Sequence, residues 1–259
     1  MSLHRRQRLG QYRIEARLSS GGFANVYRAY DTVEGICVAL KIPHEEMVDA
    51  AMLSTFKREV RMAARLDHPN ILSIKTAGMI DGRFVIVTPL GLECLADRLR
   101  HRLGSRTVLS FAEQTLSALA CAHRQRIAHL DVKPGNLILF PERRLRLADF
   151  GLARVVVRAL SASGSGTVGY VAPEQALGKP SMRSDVFAAG LLLWRLMSGA
   201  LPEWPFQWPY PGAARVATRW HPGLTRLVRK ATHVDDRKRF PSAVPMLQAF
   251  QKISERAIL

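Results

Sequence analysis

The sequence contains little cysteine and no long apolar stretch. Its three cysteines, Cys37, Cys94 and Cys121, are odd in number, lie far apart and form no C-x-x-C pair. This usage excludes a disulfide framework and gives no zinc-site pattern. No segment approaches the ~18 consecutive apolar residues of a membrane span, and the basic start of the chain lacks the apolar core of a signal peptide. We therefore expect a protein of the reducing cytoplasm without a membrane span.

Acidic residues are also scarce, with 21 Asp and Glu against 38 Lys and Arg, so the formal net charge is +17. Basic clusters lie at 5–6, 98–102, 143–146 and 237–239. One interpretation is a surface that attracts an acidic partner, nucleic acid or anionic lipid. The other is a solvated Arg-rich surface, which is favoured because no run of five basic residues occurs and no aromatic residues alternate with the clusters. Nucleic acid is not indicated beyond the net basic charge.

Hydrophobic residues make up 47% of the chain, which places it in the globular class. Alternating patterns predict strands, and apolar spacing of three to four residues predicts helices. The predicted strands are 12–18, 25–30, 35–42, 71–75 and 84–88. The predicted helices are 50–66, 92–103, 111–124, 184–198, 224–232 and 243–253. The order predicts an α+β chain: a small antiparallel sheet with one main helix, followed by a mostly helical part.

Two short motifs carry the strongest chemical information. Residues 128–136 read AHLDVKPGN and residues 149–151 read DFG. They place one candidate base, Asp131, and two candidate magnesium ligands, Asn136 and Asp149, at fixed spacing, and phosphoryl transfer from ATP requires such groups. Carboxylate and amide oxygens are hard ligands of the kind that magnesium prefers.

These motifs resemble the catalytic loop and metal-binding motif of eukaryotic-like (Hanks-type) serine/threonine protein kinases, in their bacterial style. The resemblance covers roughly residues 12–250 and implies a bilobal protein kinase fold that uses ATP and Mg²⁺. It implies that Asp131 accepts and orients the substrate hydroxyl and that Lys133 steadies the transferred phosphoryl group. Asn136 and Asp149 would hold magnesium. A single catalytic domain would occupy 1–259, with an N-lobe at about 12–88, a hinge at about 89–91 and a C-lobe at about 92–254.

The resemblance also assigns the nucleotide contacts. Residues 18–27, LSSGGFANVY, are similar to the Gly-rich loop of the family, and residues 38–41, VALK, to the strand carrying the ATP-anchoring lysine. Lys41 would bind phosphate and pair with Glu59. The other implied nucleotide contacts are Leu18, Gly21, Gly22, Phe23, Val26, Ala39, Thr88, Pro89, Leu90, Gly91 and Leu139. Taken singly, these residues also fit a plain hairpin turn, surface charges and ordinary core positions.

Residues 166–174, GTVGYVAPE, resemble the segment that binds the peptide substrate in the family. Thr167 would contact the catalytic loop, which is typical of Ser/Thr kinases. Glu174 would pair with Arg239, and Asp185 would brace the backbone of the catalytic loop. His129 is interpreted as a hydrogen-bonded structural residue rather than a base.

One departure from the family pattern concerns regulation. The usual H-R-D is His129-Leu130-Asp131 here, and the arginine that normally receives an activation-loop phosphate is absent. Leu130 cannot make the charge-assisted hydrogen bonds that dock a phosphate. We therefore hypothesise that activity does not depend on activation-loop phosphorylation in the usual way. The segment between the DFG and GTVGYVAPE motifs, which is Ser/Gly-rich at 161–166, offers candidate autophosphorylation sites at Ser161, Ser163, Ser165 and Thr167. The alternative interpretation of the serines is a solubilising linker.

Three other functions compete with a protein kinase. A pseudokinase scaffold is favoured by Ser19, Ala24 and Leu130, which replace family residues, but the key polar groups of the motifs are present. A nucleic-acid or membrane-surface module would use the basic charge, and a small-molecule kinase would lack the 166–174 pattern. The Trp- and Pro-rich segment 201–221 could form a partner surface, although irregular core packing is favoured.

Overall fold

The computed structural model describes residues 3–22, 24–44, 50–150, 168–255 and 257–258, with the backbone alone for residues 50–53, 55, 56, 59 and 168. Contacts divide the chain into two compact units. The first comprises Met1–Asp67 and Leu72–Leu92, and the second comprises His68–Ile71 and Glu93–Leu259. In the part of the chain that the structure describes, no helix is both long and apolar enough to cross a membrane.

The first unit is built on a six-stranded antiparallel sheet with the strand order β1-β2-β3-β4-β6-β5. Helix α1 lies between β4 and β5 in the sequence. The bounds are β1 Arg8–Leu9, β2 Tyr12–Ser20, β3 Ala24–Asp31, β4 Ile36–Pro43, α1 Ala50–Ala63, β5 Thr76–Ile80 and β6 Arg83–Pro89.

Alternation along β4 explains where the core of this unit lies. Val38, Leu40 and Ile42 are buried, while Ala39 and Lys41 between them are half-buried on the opposite face. Because side chains alternate between the faces of a strand, one face of the sheet builds the core and the other remains available for function.

The second unit combines a three-stranded antiparallel sheet of order β7-β8-β9 with helices. The bounds are β7 Glu93–Cys94, α2 Leu95–Arg98, α3 Ser105–Arg124, β8 Leu137–Phe140, β9 Arg144–Leu147, α4 Pro173–Ala176, α5 Met182–Ser198, α6 Ala213–Arg219, α7 Pro222–Ala231 and α8 Ala243–Ser254. Short 3-10 turns occupy Pro134–Asn136, Pro141–Arg143, Val168–Tyr170 and Asp236–Lys238.

Helix α5 runs through the core of this unit. It begins at a capping box in which Ser181 and Ser184 satisfy each other's backbone donors, and it ends at Gly199, whose φ of 80° suits glycine. Phe187 and Trp194 are completely buried on it, and burying side chains of this size contributes about 1.5–3 kcal/mol each. Its central Gly190 lets α7 approach, since a Cβ there would lie 2.7 Å from the Thr232 methyl group.

Most of the predicted elements are confirmed with boundaries shifted by a few residues, but two are wrong. The predicted strand 71–75 lies at Thr76–Ile80 instead, because Ile71 joins the second unit through a bridge to Leu147. The predicted helix 92–103 contains only the four residues of α2, because Glu93–Cys94 pairs with β8 and takes the chain into the sheet.

The Trp-rich segment 201–221 contains a helix, Ala213–Arg219, that the sequence pattern did not predict. Trp220 is 1% exposed. Trp208 is half-buried against Trp194, with the ring centroids 5.2 Å apart. Core packing therefore accounts for two of the tryptophans, whereas Trp204 is 68% exposed.

Candidate active site

The backbone of the catalytic loop is fixed by one buried carboxylate. Asp185 on α5 is fully buried and accepts hydrogen bonds from the backbone N–H groups of His129 (2.7 Å) and Leu130 (2.6 Å). It also accepts from His123 Nε2 at 2.8 Å. His123 Nδ1 accepts from the Ala243 N–H at 2.9 Å, so His123 is the neutral Nε2–H tautomer. The bracing role predicted for Asp185 is confirmed, and His123 is a support that sequence reasoning missed.

Leu130 adopts a backbone conformation that is unusual for its residue type. Its φ is 64°, in the left-handed region that costs energy for a residue with a side chain. Its carbonyl accepts from Gln175 Nε2 at 2.7 Å, while its N–H is held by Asp185. The strained residue is therefore fixed on both sides. Gln175 had no recognisable signal in the sequence beyond its position one residue after Glu174.

His129 is a structural residue, as predicted. It is fully buried, its Nε2–H donates to the Ala148 carbonyl at 2.8 Å and its Nδ1 accepts from the Asp131 N–H at 3.2 Å. The Phe150 ring packs edge-on against it, with centroids 4.6 Å apart. Both ring nitrogens are engaged by the backbone, so the imidazole ties the catalytic loop to the segment that carries Asp149.

The candidate base lies in a small polar cluster. Asp131 Oδ2 is 2.9 Å from Lys133 Nζ and accepts from Asn136 Nδ2 at 2.8 Å. Asn136 Nδ2 also donates to the Asp131 carbonyl at 2.8 Å. The Asp131 and Lys133 side chains retain 18% and 25% exposure, so both can be reached from solvent. The structure thus brings together three residues that the sequence predicted as one group.

Asn136 and Asp149 are brought together by the hairpin of β8 and β9. Leu137 and Leu147 are paired, and the Ala148 N–H donates to the Asn136 carbonyl at 2.8 Å. Because Asn136 immediately precedes this pair and Asp149 follows it, both residues lie at the same end of the hairpin. Asp149 has a φ of 66°, a second non-glycine residue in the left-handed region.

This donor set fits a magnesium ion. The amide nitrogen of Asn136 is the end of the side chain that contacts Asp131, so the amide oxygen is the end left for a metal. Together with the Asp149 carboxylate, it offers the hard oxygen ligands that magnesium takes from proteins in small number.

The nucleotide-contacting residues predicted in the first unit share one face of its sheet. Register pairs Val26 with Lys41, Lys41 with Ile86, and Ala39 with Thr88. Directly paired residues of antiparallel strands point to the same face, so Val26, Ala39, Lys41 and Thr88 lie together, opposite the core face. All four are half-buried.

The Gly-rich turn joins β2 to β3. The Gly21 N–H donates to the Ala24 carbonyl at 3.0 Å, which closes the turn. A Cβ built on Gly22 would meet no atom within 4 Å. Among the described residues, no packing contact requires glycine at this position. Leu18 is 51% exposed before the turn, and Phe23 lies outside the described residues.

A histidine that sequence reasoning missed holds this turn. His44 Nε2 lies 2.8 Å from the Gly21 carbonyl, which can only accept, so Nε2 carries the proton. The other ring nitrogen, Nδ1, lies 3.4 Å from Asn25 Nδ2. The imidazole connects the end of β4 to both ends of the turn. Its only sequence signal is its position three residues after Lys41.

The predicted hinge residues continue from β6. Thr88 and Pro89 are the last residues of that strand, and Pro89 is paired with Val38. Leu90 and Gly91 follow without regular structure, and all four are half-buried. Leu139, the wall residue predicted in the second unit, is 7% exposed on β8.

The segment after residue 167 is anchored by a buried ion pair, as predicted. Arg239 donates to both carboxylate oxygens of Glu174 at 2.9 Å, and its side chain has no exposure. The Ser184 hydroxyl donates to the same carboxylate at 2.6 Å. Burial raises the pKa of Tyr170, whose hydroxyl accepts from Arg195 at 2.9 Å. Thr167, the candidate serines and the side chain of Glu59 lie outside the described residues.

Comparison with known proteins identifies similar chains. Residues 12–210 match the family described as the protein kinase domain. The serine/threonine-protein kinase PrkC of Bacillus subtilis (strain 168) is 32% identical, over 92% of this chain and 39% of PrkC. The serine/threonine-protein kinase PknA of Mycobacterium tuberculosis (strain H37Rv) is 35% identical, over 74% of this chain and 48% of PknA. The chain thus spans less than half the length of these two relatives.

Among solved structures, the crystal structure of the Mycobacterium tuberculosis PknI kinase domain is similar. The TM-score is 0.73 and the sequence identity is 27%, covering 97% of this chain and 99% of that one. The aligned part of the chain therefore includes residues of both units described above.

Proposed function

Because this chain belongs to the protein kinase domain family, we propose that it transfers the γ-phosphate of ATP to Ser or Thr hydroxyls of protein substrates, itself included. The observation that carries this proposal is the cluster in which Asp131 contacts both Lys133 and Asn136. A carboxylate, an ammonium and an amide oxygen at one place are the groups that phosphoryl transfer requires.

Asp131 acts on the acceptor. Its carboxylate accepts the hydrogen of the substrate hydroxyl and orients the oxygen for in-line attack on the terminal phosphorus. Lys133 donates to the oxygens of the phosphoryl group as its bond to the leaving oxygen breaks. The proton of the hydroxyl passes to Asp131, and no covalent enzyme intermediate is needed.

Asn136 and Asp149 are the residues that would hold magnesium. When bound there, magnesium neutralises phosphate charge and stabilises the negative charge that develops in the transition state. The bonds from Asn136 Nδ2 to the carbonyl and carboxylate of Asp131 direct the amide oxygen away from the base. The chain thereby separates the group that accepts a proton from the groups that bind a cation.

In the first unit, Lys41 would bind ATP phosphates, with Glu59 as its acidic partner. Thr88 and the backbone of 89–91 would contact the adenine, with Pro89 offering only a carbonyl. The apolar contacts proposed for the nucleotide are Leu18, Phe23, Val26, Ala39 and Leu139, and the Gly-rich contacts are Gly21 and Gly22.

Ser/Thr specificity is supported by the family pattern of 166–174 and by the relatives' printed names. Thr167 would contact Asp131 and Lys133 beside the acceptor peptide. We assign one catalytic domain to the chain, with an N-lobe at about 12–88, a hinge at about 89–91 and a C-lobe at about 92–254. We propose that it acts in signalling in the cytoplasm. The unpaired cysteine usage supports that compartment.

The test is transfer from labelled ATP with magnesium to the protein itself and to a generic basic protein. Asp131→Asn removes the base while keeping size and hydrogen bonding, and we expect the rate to fall by about 10²–10⁴-fold. Asp97→Asn changes a half-exposed carboxylate of the same unit and is the matched control, with an unchanged rate. Acid hydrolysis of the labelled product is expected to release phosphoserine or phosphothreonine. Wild-type turnover in Asp131→Asn would refute the role of this residue.

A further inference from the structure

A basic groove lies in the first unit, away from the residues assigned to nucleotide binding. Its volume is about 900 Å³, within the range of known ligand sites. It is formed by the segment that precedes β1 together with residues of β2 and β3. Its lining includes Arg5, Arg6, Arg13, Arg17 and Arg28 and one acidic residue, Glu15.

One wall of the groove is a turn held firmly against the sheet. The Gln7 N–H donates to the His4 carbonyl at 3.1 Å, which places Arg5 and Arg6 at the centre of the turn. The Arg6 N–H donates to the Ile14 carbonyl at 2.8 Å, and the Ile14 N–H donates back to Gln7 at 2.8 Å. The backbone that presents these two arginines is therefore ordered before any ligand binds, which lowers the entropic cost of binding.

The same turn is also anchored at its start. Leu3 is 6% exposed in the core of the unit, and its N–H donates to the Tyr27 hydroxyl at 3.1 Å. Arg6 adopts a φ of 70°, a conformation that a non-glycine residue keeps only where its surroundings impose it. The position of the turn thus follows from packing and hydrogen bonds rather than from chance collapse of a terminal segment.

The charge of the groove is strongly positive. Glu15 is the one acidic lining residue, and it pairs with Arg28 at 2.7 Å. This leaves Arg5, Arg6, Arg13 and Arg17, all exposed, without an acidic partner among the described residues. Arg13 lies over the Tyr30 ring, with Cζ 5.1 Å from the centroid, which restricts its side chain. Four such charges around one concave surface repel each other unless an anion lies between them.

The residue types in the lining indicate which kind of anion the groove binds. All of the Lys and Arg residues in the lining are arginines, whose planar guanidinium groups bind phosphate oxygens in pairs. The lining contains no aromatic ring on which a nucleic-acid base could stack. Its two large apolar residues, Leu3 and Ile14, are buried in the core and cannot insert into a membrane. A concave surface of arginines suits a narrow chain bearing phosphate groups better than a flat bilayer.

We propose that this groove binds a phosphorylated peptide segment of a partner protein. The segment lies over the exposed side chains of the turn at 4–7 and of β2. Its phosphates are contacted by Arg5, Arg6, Arg13 and Arg17. Binding does not require ATP hydrolysis or transfer, so the proposal stands or falls independently of the catalytic function.

The test is fluorescence anisotropy of a short labelled Gly/Ser peptide that carries two phosphoserines, titrated with the full chain in the absence of ATP and magnesium. Arg13→Gln/Arg17→Gln is expected to weaken binding at least about tenfold, because it removes two charge-assisted contacts. Arg5→Gln/Arg6→Gln removes charges from the turn and is expected to act similarly. Arg102→Gln/Arg106→Gln removes two exposed charges of the second unit that do not line the groove. It is the matched control, with an effect below about twofold because exposed charges that make no direct contact with the ligand are largely screened.

Thermal unfolding of each variant establishes that it folds, and the two groove variants provide independent readings if one is unstable. Loss of affinity in both groove variants but not in the control supports the proposal. Equal losses in all three variants would show a general charge effect and overturn it. Binding of the unphosphorylated or Asp-substituted peptide within about twofold of the phosphopeptide would overturn phosphate recognition. Phosphatidylserine vesicles or single-stranded DNA could instead bind more tightly than the phosphopeptide and lose that binding in the groove variants. This result would identify them as the ligands of the groove and would also overturn the proposal.

Discussion

The candidate site residues of the second unit and those of the first unit are held in place by different kinds of interaction. In the second unit, buried polar groups fix the catalytic loop: Asp185 accepts three hydrogen bonds, and Gln175 holds the carbonyl of Leu130. In the first unit, the candidate site residues are positioned by strand register, and among the described residues the Gly-rich turn is held by the bond from the Gly21 N–H to the Ala24 carbonyl and by His44. Among the described residues, more side-chain hydrogen bonds therefore hold the catalytic loop than hold the Gly-rich turn.

The largest expected effect follows from removing the brace of the catalytic loop. Asp185→Ala would leave the N–H groups of His129 and Leu130 and the His123 ring without their buried acceptor. Each buried donor left unsatisfied costs about 1–3 kcal/mol, so we expect a loss of at least about 3 kcal/mol in unfolding free energy and of most activity. Denaturant unfolding measures the first. Asp97→Ala is the control, and equal stabilities of the two variants would contradict the bracing role.

A smaller effect is expected from moving the helix that carries Asp185. Gly190→Ala would place a methyl group 2.7 Å from the Thr232 methyl carbon and 2.9 Å from Ala231 Cβ, and overpacking of this kind costs about 1–3 kcal/mol. Gly78→Ala is the control, because a Cβ there would meet nothing within 4 Å. Calorimetric melting of both variants tests the prediction, which is wrong if Gly190→Ala melts at the wild-type temperature.

In the first unit, the tether of the Gly-rich turn can be cut without touching a predicted nucleotide contact. His44→Leu removes the bond to the Gly21 carbonyl. A hydrogen bond contributes about 1 kcal/mol, and losing that free energy changes a binding constant by roughly fivefold. We expect KM for ATP to rise about threefold to fivefold with kcat nearly unchanged.

Steady-state kinetics separates the two constants. His44→Gln, which can still donate to the carbonyl, is expected to recover most of the affinity, and His101→Leu changes an exposed histidine of the second unit as the control. A fall in kcat without a change in KM would contradict the expectation that His44 supports nucleotide binding through the Gly-rich turn.

The smallest effect is expected from dephosphorylation. Leu130 offers no cation to an activation-loop phosphate, and its backbone is already fixed by Asp185 and Gln175. Phosphatase treatment is therefore expected to change kcat/KM by less than about twofold, since no charge-assisted contact is lost. Activity that disappears after treatment and returns with rephosphorylation would refute the hypothesis drawn from the Leu130 substitution.

The sequence predicted those parts of the fold and site that depend on local pattern. Alternation located the strands that carry Val26 and Lys41, and motif spacing located Asp131, Asn136 and Asp149. It failed where distant partners decide the structure, as for Ile71, whose backbone pairs with Leu147. Gln175, His123 and His44 were missed for the same reason, because a side chain that supports a backbone atom leaves no pattern in its own neighbourhood.

The central claim is that Asp131 serves the transfer step and not nucleotide binding. The direct test is a single-turnover measurement at saturating ATP and magnesium, with nucleotide affinity measured alongside, for the wild type and Asp131→Asn. The account predicts a rate constant lower by about 10²–10⁴-fold and an affinity within about threefold of the wild type. A rate constant within about threefold of the wild type would contradict it.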